Sequence, residues 1–429
     1  MFADTTVKLD RGSDEAVHRE KLTALIPRWL ARVPLYQQRT WTPNHDHPEL
    51  LDPLPQITKK DIRHNFPHNF LASDTRLEDL VDQELVELEH TSGTSEPQQT
   101  PLLLELGWWA RQEEKALRLN AFVSPVLEEH PQARRATISS PVCNSEVCYS
   151  GVPPLADRIV GNTLFCSLSR QPFLWSEEDL SRLAREVRDW QPVFLDVDPV
   201  YGIVFALYCE RHGIRIPSLR FILCSYEFVS AAHRRILSRV FNVPVFNLYG
   251  STETGHLLME DTRGRMIPSL ETAYLELCDT DSQGVGALVV TTLTNDYMPL
   301  IRYRIGDLVR RSGSGCETAY EVHGREADAF RSADGSRSTP AQIDCVVSDT
   351  PGIAHYQVIQ RSGQPWLLRF VPDIRPPTPD SLQTLQDRLT HLLQPGDGLE
   401  IQPVNALMPE SSGKFRLCQP LAGVTNTIK

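Results

Sequence analysis

Apolar positions after residue 178 alternate between two spacings. Leu180, Leu183, Val187 and Trp190 recur at helical intervals, and the apolar run at 192–197 then reads as a buried strand. Residues 203–208 continue as helix, 219–224 as strand, 231–241 as helix and 243–248 as strand. This rhythm predicts a sheet with parallel strands covered by helices, with ligands at the carboxyl ends of the strands. Segments 286–293 and 300–309 are β-like, with turn residues between them. Before residue 85 the chain is rich in Arg, His and Pro, and Leu22, Ile26, Trp29 and Leu30 mark a helical face that packs on a larger body.

Beyond residue 325 the pattern changes. Two β-like segments, 355–361 and 366–371, flank the hairpin signal Ser362-Gly363-Gln364-Pro365. Leu382, Leu385, Leu389 and Leu393 then mark an amphipathic helix, and 399–404 a short strand. The expected architecture is a large α/β N-terminal domain (1–324), with layered sheets, helices and a β-rich part. A small α+β C-terminal domain (325–429) follows it.

Composition narrows the function more than the fold. At roughly 100–200 residues per domain, 429 residues predict two to four domains. Charged residues at 23% and apolar ones at 41% are ordinary for a globular protein. A net charge of −12 argues against a nucleic-acid partner. No run reaches the ~18–20 apolar residues of a membrane span. The start lacks a cationic segment followed by an apolar one, and the nine cysteines are scattered. The expected setting is the reducing cytoplasm.

Four segments carry candidate chemistry. The first is His90-Thr91-Ser92-Gly93-Thr94-Ser95-Glu96-Pro97, where small hydroxyl residues around a glycine can turn donors toward phosphate oxygens. Alone, it reads better as a polar turn. The second, Asn247-Leu248-Tyr249-Gly250-Ser251-Thr252-Glu253-Thr254, directly follows an expected strand. The third is Ile301-Arg302-Tyr303-Arg304-Ile305-Gly306-Asp307, and the fourth is Pro409-Glu410-Ser411-Ser412-Gly413-Lys414.

In order and separation, and with His323-Gly324-Arg325 between the last two, these segments resemble the adenylate-forming superfamily of acyl-CoA synthetases and adenylation domains. The phenylacetate–CoA ligase-like family matches over residues 55–420. The resemblance implies ATP and Mg²⁺, with a carboxylate attacking the α-phosphorus to give acyl-AMP and pyrophosphate. It implies that Ser92, Gly93, Thr94 and Ser95 hold the β- and γ-phosphates. Tyr249, with Gly250 and Ser251, borders adenine, Thr252 donates to the α-phosphate, and Glu253 binds the metal. Asp307 accepts from both ribose hydroxyls. Ser225, Tyr226 and Glu227 match a Gly-Ala-Glu segment beside adenine. Arg325 matches the hinge-region arginine, and Asp328 is the hinge candidate. Lys414 bridges the attacking carboxylate and the α-phosphate. In such relatives the small domain then rotates, removing the lysine and bringing in a loop, here 335–340, for a pantetheine thiol.

The chain also departs from the pattern. Ser95-Glu96-Pro97 replaces the usual second Gly and Lys of the phosphate loop, and Ala327 replaces one of the acidic pair after Gly-Arg. No cysteine occurs between Glu253 and Cys278, so the structural zinc of many relatives is not expected. Cys143, Cys148 and Cys166 read as buried thiols near an acyl-pocket wall at 139–152, and Trp108 and Trp109 as packing residues. The small apolar and hydroxyl groups of that wall suit a hydroxybenzoate-like aromatic acid. For the acceptor, segment 325–429 is nearly neutral, with ten Lys and Arg against eleven Asp and Glu. The motif departures favour a holo acyl carrier protein over free CoA. Three alternatives stay open: an aryl-CoA ligase, an amide-forming ligase and a non-catalytic nucleotide-binding member.

Overall fold

In the computed structural model of the chain, the described residues are 12–37, 39–40, 51, 54–91, 99–141, 147, 153–167, 169–314, 317–331 and 336–421. The chain divides into two compact units, Met1–Glu129 with Leu248–Val322 and His130–Asn247 with His323–Lys429. The C-terminal segment therefore groups with 130–247. Among the described residues no helix is long and apolar enough to cross a membrane.

The first unit is antiparallel. Its strands run in the order Ala273–Cys278, Val285–Thr292, Tyr303–Ser312, 319–322, Met266–Pro268, Gly255–Glu260 and 248–251. Val285–Thr292 is buried at all eight positions. The Gly12–Arg32 helix contributes Leu22, Ile26, Trp29 and Leu30 to the same core, as their spacing predicts. Trp108, at the start of the Trp108–Leu117 helix, is buried and donates its indole N–H to Thr294 at 3.0 Å.

The second unit contains the parallel sheet that the sequence pattern anticipates. Thr163–Phe165, Arg135–Ile138, Phe194–Val197, Phe221–Cys224 and the start of Val245–Ser251 pair in parallel, in that order. Phe194–Val197 and Phe221–Cys224 are buried at every position, as strands covered on both faces must be. The Pro199–His212 helix extends beyond the expected 203–208 for identifiable reasons. Asp198 Oδ1 accepts the Val200 N–H at 2.9 Å, Pro199 occupies the first turn, and Gly213 closes the helix at φ +63°.

The C-terminal part of this unit is a four-stranded sheet in the order Leu399–Pro403, Trp366–Pro372, Ile353–Ile359 and Cys418–Gln419, with helices Pro340–Ser348 and Pro379–Leu393. Ile353–Ile359 and Trp366–Pro372 pair antiparallel across the expected hairpin. Leu385, Leu389 and Leu393 enter the core while Leu382 is partly buried beside it, the arrangement expected of one helical stripe.

Candidate active-site residues

In the first unit, Thr252 and Glu253 occupy the turn between Val245–Ser251 and Gly255–Glu260, which pair antiparallel. Gly250 is required there, because a Cβ would lie 2.1 Å from the Gly255 carbonyl oxygen. The turn is braced by a 3.0 Å hydrogen bond between the Ser251 and Thr254 hydroxyls. Tyr249 and Asp307, 58 positions apart, meet through a 2.6 Å bond from the phenol to Asp307 Oδ2. Asp307 is 5% exposed and Glu253 6%, so each carboxylate depends on protein donors.

Glu253 Oε1 accepts from the Tyr303 hydroxyl at 2.9 Å and faces Lys59 Nζ at 3.2 Å. Lys59 arrives there by backbone pairing. The Ile57 N–H donates to the Arg302 carbonyl at 3.0 Å and the Arg304 N–H to the Ile57 carbonyl at 2.9 Å, which seats the Thr58-capped helix Lys59–Arg63 beside Tyr303. Lys59 and Tyr303 carried no site prediction. A lysine opening a five-residue helix has no sequence signature. Arg304 bonds to Asp279 at 2.6 Å, and Arg302 is buried against Glu276 at 3.2 Å.

In the second unit, candidate residues collect at the carboxyl ends of adjacent parallel strands. Ser139 and Ser140 follow Arg135–Ile138, Asp198 follows Phe194–Val197, and Ser225, Tyr226 and Glu227 follow Phe221–Cys224. Ser225 Oγ and the Tyr226 hydroxyl donate to the two oxygens of Asp196 at 2.8 and 2.9 Å. Tyr226 has φ +74°, unusual for a bulky residue, and this backbone accompanies its hydrogen bond to Asp196.

The Lys414 loop rests on these strand ends. Ser140 Oγ donates to the Ser412 carbonyl at 2.9 Å, and the Tyr201 hydroxyl to the Gly413 carbonyl at 3.0 Å. The Phe415 N–H donates to Glu227 Oε1 at 2.6 Å. Gly413 has φ +84°, and a Cβ there would lie 2.1 Å from Ser140 Oγ. Phe415 packs edge-on to Phe173 and His355, with ring centroids 5.7 and 5.2 Å apart.

The surrounding electrostatics are unusual. Burial pushes Asp198 up to about 7, while helix-cap bonds and the Lys414 charge work against that rise. Glu227 is also pushed well up, by burial and then by the Asp198 charge, with Lys414 opposing. Farther along, Asp328 accepts from Arg416 Nε at 2.9 Å, tying the predicted hinge acid to a residue two positions past Lys414. Arg325 ends the Ala319–Arg325 strand.

The phosphate-loop residues Ser92, Gly93, Thr94, Ser95, Glu96 and Pro97, together with Cys143, Cys148 and Gly335, lie outside the described residues. Cys166 is a buried free thiol pushed up to about 12 by burial and the nearby Glu186. For Mg²⁺, the first unit offers one carboxylate, Glu253. That fits a cation that usually binds one or two carboxylates together with substrate phosphates. Among the described residues no cluster of three metal-ligating side chains exists.

No family model matches the chain. Phenylacetate–coenzyme A ligase of Thermus thermophilus is 28% identical over 196 residues, covering 41% of this chain and 43% of that protein. The Pseudomonas putida enzyme of the same name is 24% identical over 331 residues, covering 70% and 68%. The chain thus spans under half the length of the first of these relatives and about two thirds of the second. The solved structure of 2-hydroxyisobutyryl-CoA ligase, in the postadenylation state in complex with R3-HIB-AMP, aligns with a TM-score of 0.65 at 17% identity. That alignment covers 96% of this chain and 90% of the other. An anthranilate CoA ligase in complex with anthranoyl-AMP has the same fold, with a TM-score of 0.57 at 13% identity over 82% and 68%. The chain is similar in sequence to phenylacetate–CoA ligases and shares the fold of acyl-CoA ligases. Its matching motif residues Tyr249, Glu253 and Asp307 meet protein partners in the first unit, and Lys414 lies in the second.

Proposed function

We propose that this chain is an ATP-dependent acid–thiol ligase. A carboxylate oxygen bonds to the α-phosphorus of ATP as the bond to pyrophosphate breaks. A thiolate then attacks the acyl carbonyl, and AMP leaves with the bonding pair. The observation that carries this reading is the Tyr249–Asp307 contact, which presents a carboxylate as a polar acceptor suited to a ribose diol.

On this reading Asp307 binds the ribose, Tyr249 orients it, Thr252 donates to the α-phosphate, and Lys414 neutralises charge as the carboxylate attacks. Ser92, Gly93, Thr94 and Ser95 bind the leaving phosphates, and Arg325 serves the hinge region with Asp328. Mg²⁺, held by Glu253, supplies charge neutralisation on the phosphates. Lys59 and Tyr303 hold the Glu253 carboxylate in position. The substrate proposed is an aromatic, hydroxybenzoate-like acid, and the thiol acceptor a holo acyl carrier protein, with free CoA as the second reading. The CoA reading is favoured by the relatives, which are named coenzyme A ligases.

A mobile 325–429 segment belongs to this proposal. Moving it requires parting the Ser140–Ser412, Tyr201–Gly413 and Glu227–Phe415 hydrogen bonds. Each contributes only about 0.5–1.5 kcal/mol net, so acceptor binding can offset their loss.

The test is pyrophosphate release with a panel of aryl and alkyl acids, comparing wild type with Lys414→Ala. We expect release with an aryl acid and a loss of roughly 10²–10³-fold in the variant. No acid-dependent release with any acid would reject the enzyme reading. Mass spectrometry of reactions offered CoA, a holo carrier protein or simple amines then identifies the acceptor.

A further inference from the structure

Asp198 and Glu227 stand out because the ligase reading gives Asp198 no task and assigns Glu227 only to the border of the adenine site. Asp198 is 1% exposed. Its Oδ1 is committed to the N-terminus of Pro199–His212, accepting from the Val200 N–H at 2.9 Å. Its Oδ2 is buried with no donor group among the described residues, and the hydrogen-bonding neighbour of the Asp198 side chain is another carboxyl, Glu227. Two buried carboxylates facing one another without a donor are costly, and a shared proton or a cation relieves that cost. Glu227 grips the Lys414 loop from the neighbouring strand end, accepting the Phe415 N–H at 2.6 Å. Both acids interact electrostatically with Lys414 and with each other.

We propose that Asp198 and Glu227 are positioning residues for Lys414, holding its ammonium group in place at the end of a docked loop. The proposal rests on Lys414 being the activating lysine. A pair retaining one proton carries a single negative charge, which balances one ammonium. Two full negative charges would instead repel the acid substrate that the lysine must attract. The neutral clamps from Ser140 and Tyr201 fix the loop backbone, and the acid pair fixes the side chain.

Two isosteric variants test this, Asp198→Asn and Glu227→Gln. Asparagine retains the helix cap and glutamine retains an acceptor for the Phe415 amide, so each change removes charge while preserving shape. Two readouts are used. The first is kcat for acid-dependent pyrophosphate release, in wild-type and Lys414→Ala backgrounds. A displaced catalytic group can cost up to about 10²-fold. We expect a loss of that order in kcat with KM for ATP little changed, and no further loss once Lys414 is absent. The second readout needs no activity: the rate at which an amine-acylating reagent modifies Lys414, followed by peptide mass spectrometry. We expect that rate to rise several-fold in both variants.

Equal proportional losses in the two backgrounds would overturn the proposal, as would unchanged Lys414 labelling. If wild type shows no acid-dependent turnover, the ligase reading fails, and labelling alone decides whether the acid pair holds Lys414.

Discussion

In the first unit, Asp307 and Glu253 each face a tyrosine hydroxyl, and Glu253 also faces Lys59. In the second, Asp198 and Glu227 face one another, with Lys414 as the cation both feel. The difference lies in what the surroundings ask of each carboxylate. Hydroxyl donors and a lysine surround Asp307 and Glu253, and the proposed function uses them to accept from a sugar and to hold a cation. Burial beside another acid favours the neutral form, so the second pair is equipped to retain a proton and respond to a nearby charge. On the proposals above, one set serves a ligand and the other holds a side chain of the protein itself.

The largest effect on this comparison is expected from Asp307→Ala. The change removes an acceptor and leaves the Tyr249 hydroxyl without its 2.6 Å partner. Hydrogen bonds to charged groups contribute about 1.5–3 kcal/mol each, so kcat/KM for ATP should fall roughly 10²-fold. Steady-state kinetics at varied ATP checks this. A loss below threefold would mean that Asp307 serves the fold and not the nucleotide.

The sequence revealed the two units unequally, for physical reasons. Strand–helix alternation at 178–248 was legible because strands buried on both faces are unbroken apolar runs and the helices between them are amphipathic. Phe221–Cys224 and Glu177–Trp190 show the two patterns. Tyr249, Glu253, Asp307 and Lys414 became candidates only as members of ordered motifs, since none has a distinctive pattern alone. Lys59, Asp196, Asp198 and Tyr303 were missed because their partners are distant in sequence. Lys59 meets Glu253 across 194 positions, and Asp198 interacts with Lys414 across 216. Asp198-Pro199 did carry a local signal, a helix cap at the carboxyl end of a parallel strand.

A second, smaller effect separates the groups within the second unit by the sign of their pH dependence. His233 lies in the Ala231–Phe241 helix, 3.0 Å from His355 of the Ile353–Ile359 strand, and burial pushes it down to about 3. Between that value and the usual 6.5, the unfolded chain binds a proton that the folded chain does not. Its contribution therefore weakens as pH falls, by about 1.4 kcal/mol per pH unit. Asp198, raised from 3.8 to about 7, behaves oppositely: the folded state keeps a proton that the unfolded state has released, so its contribution weakens as pH rises through that window. Urea unfolding between pH 4.5 and 6.5 checks both. The stability gap between wild type and His233→Gln should narrow toward acid, and the gap to Asp198→Asn should narrow toward neutral pH. Parallel gaps in the two variants would show that these groups titrate alike in folded and unfolded chains.

The smallest expected effect sharpens the first unit's half of the comparison. Tyr249→Phe removes one hydroxyl and keeps the Asp307 carboxyl, with the aromatic ring still packed beside the core. If the phenol serves to orient the carboxylate, its loss costs about one hydrogen bond to a charged group, or roughly tenfold in kcat/KM for ATP. The change should then be absent in an Asp307→Ala background, where the phenol has nothing to orient. A double-mutant cycle measures that coupling directly. If Tyr249→Phe instead costs the same factor with and without Asp307, the hydroxyl contacts the nucleotide itself. Tyr249 would then be a binding residue in its own right, and Asp307 would owe its placement to the strand alone.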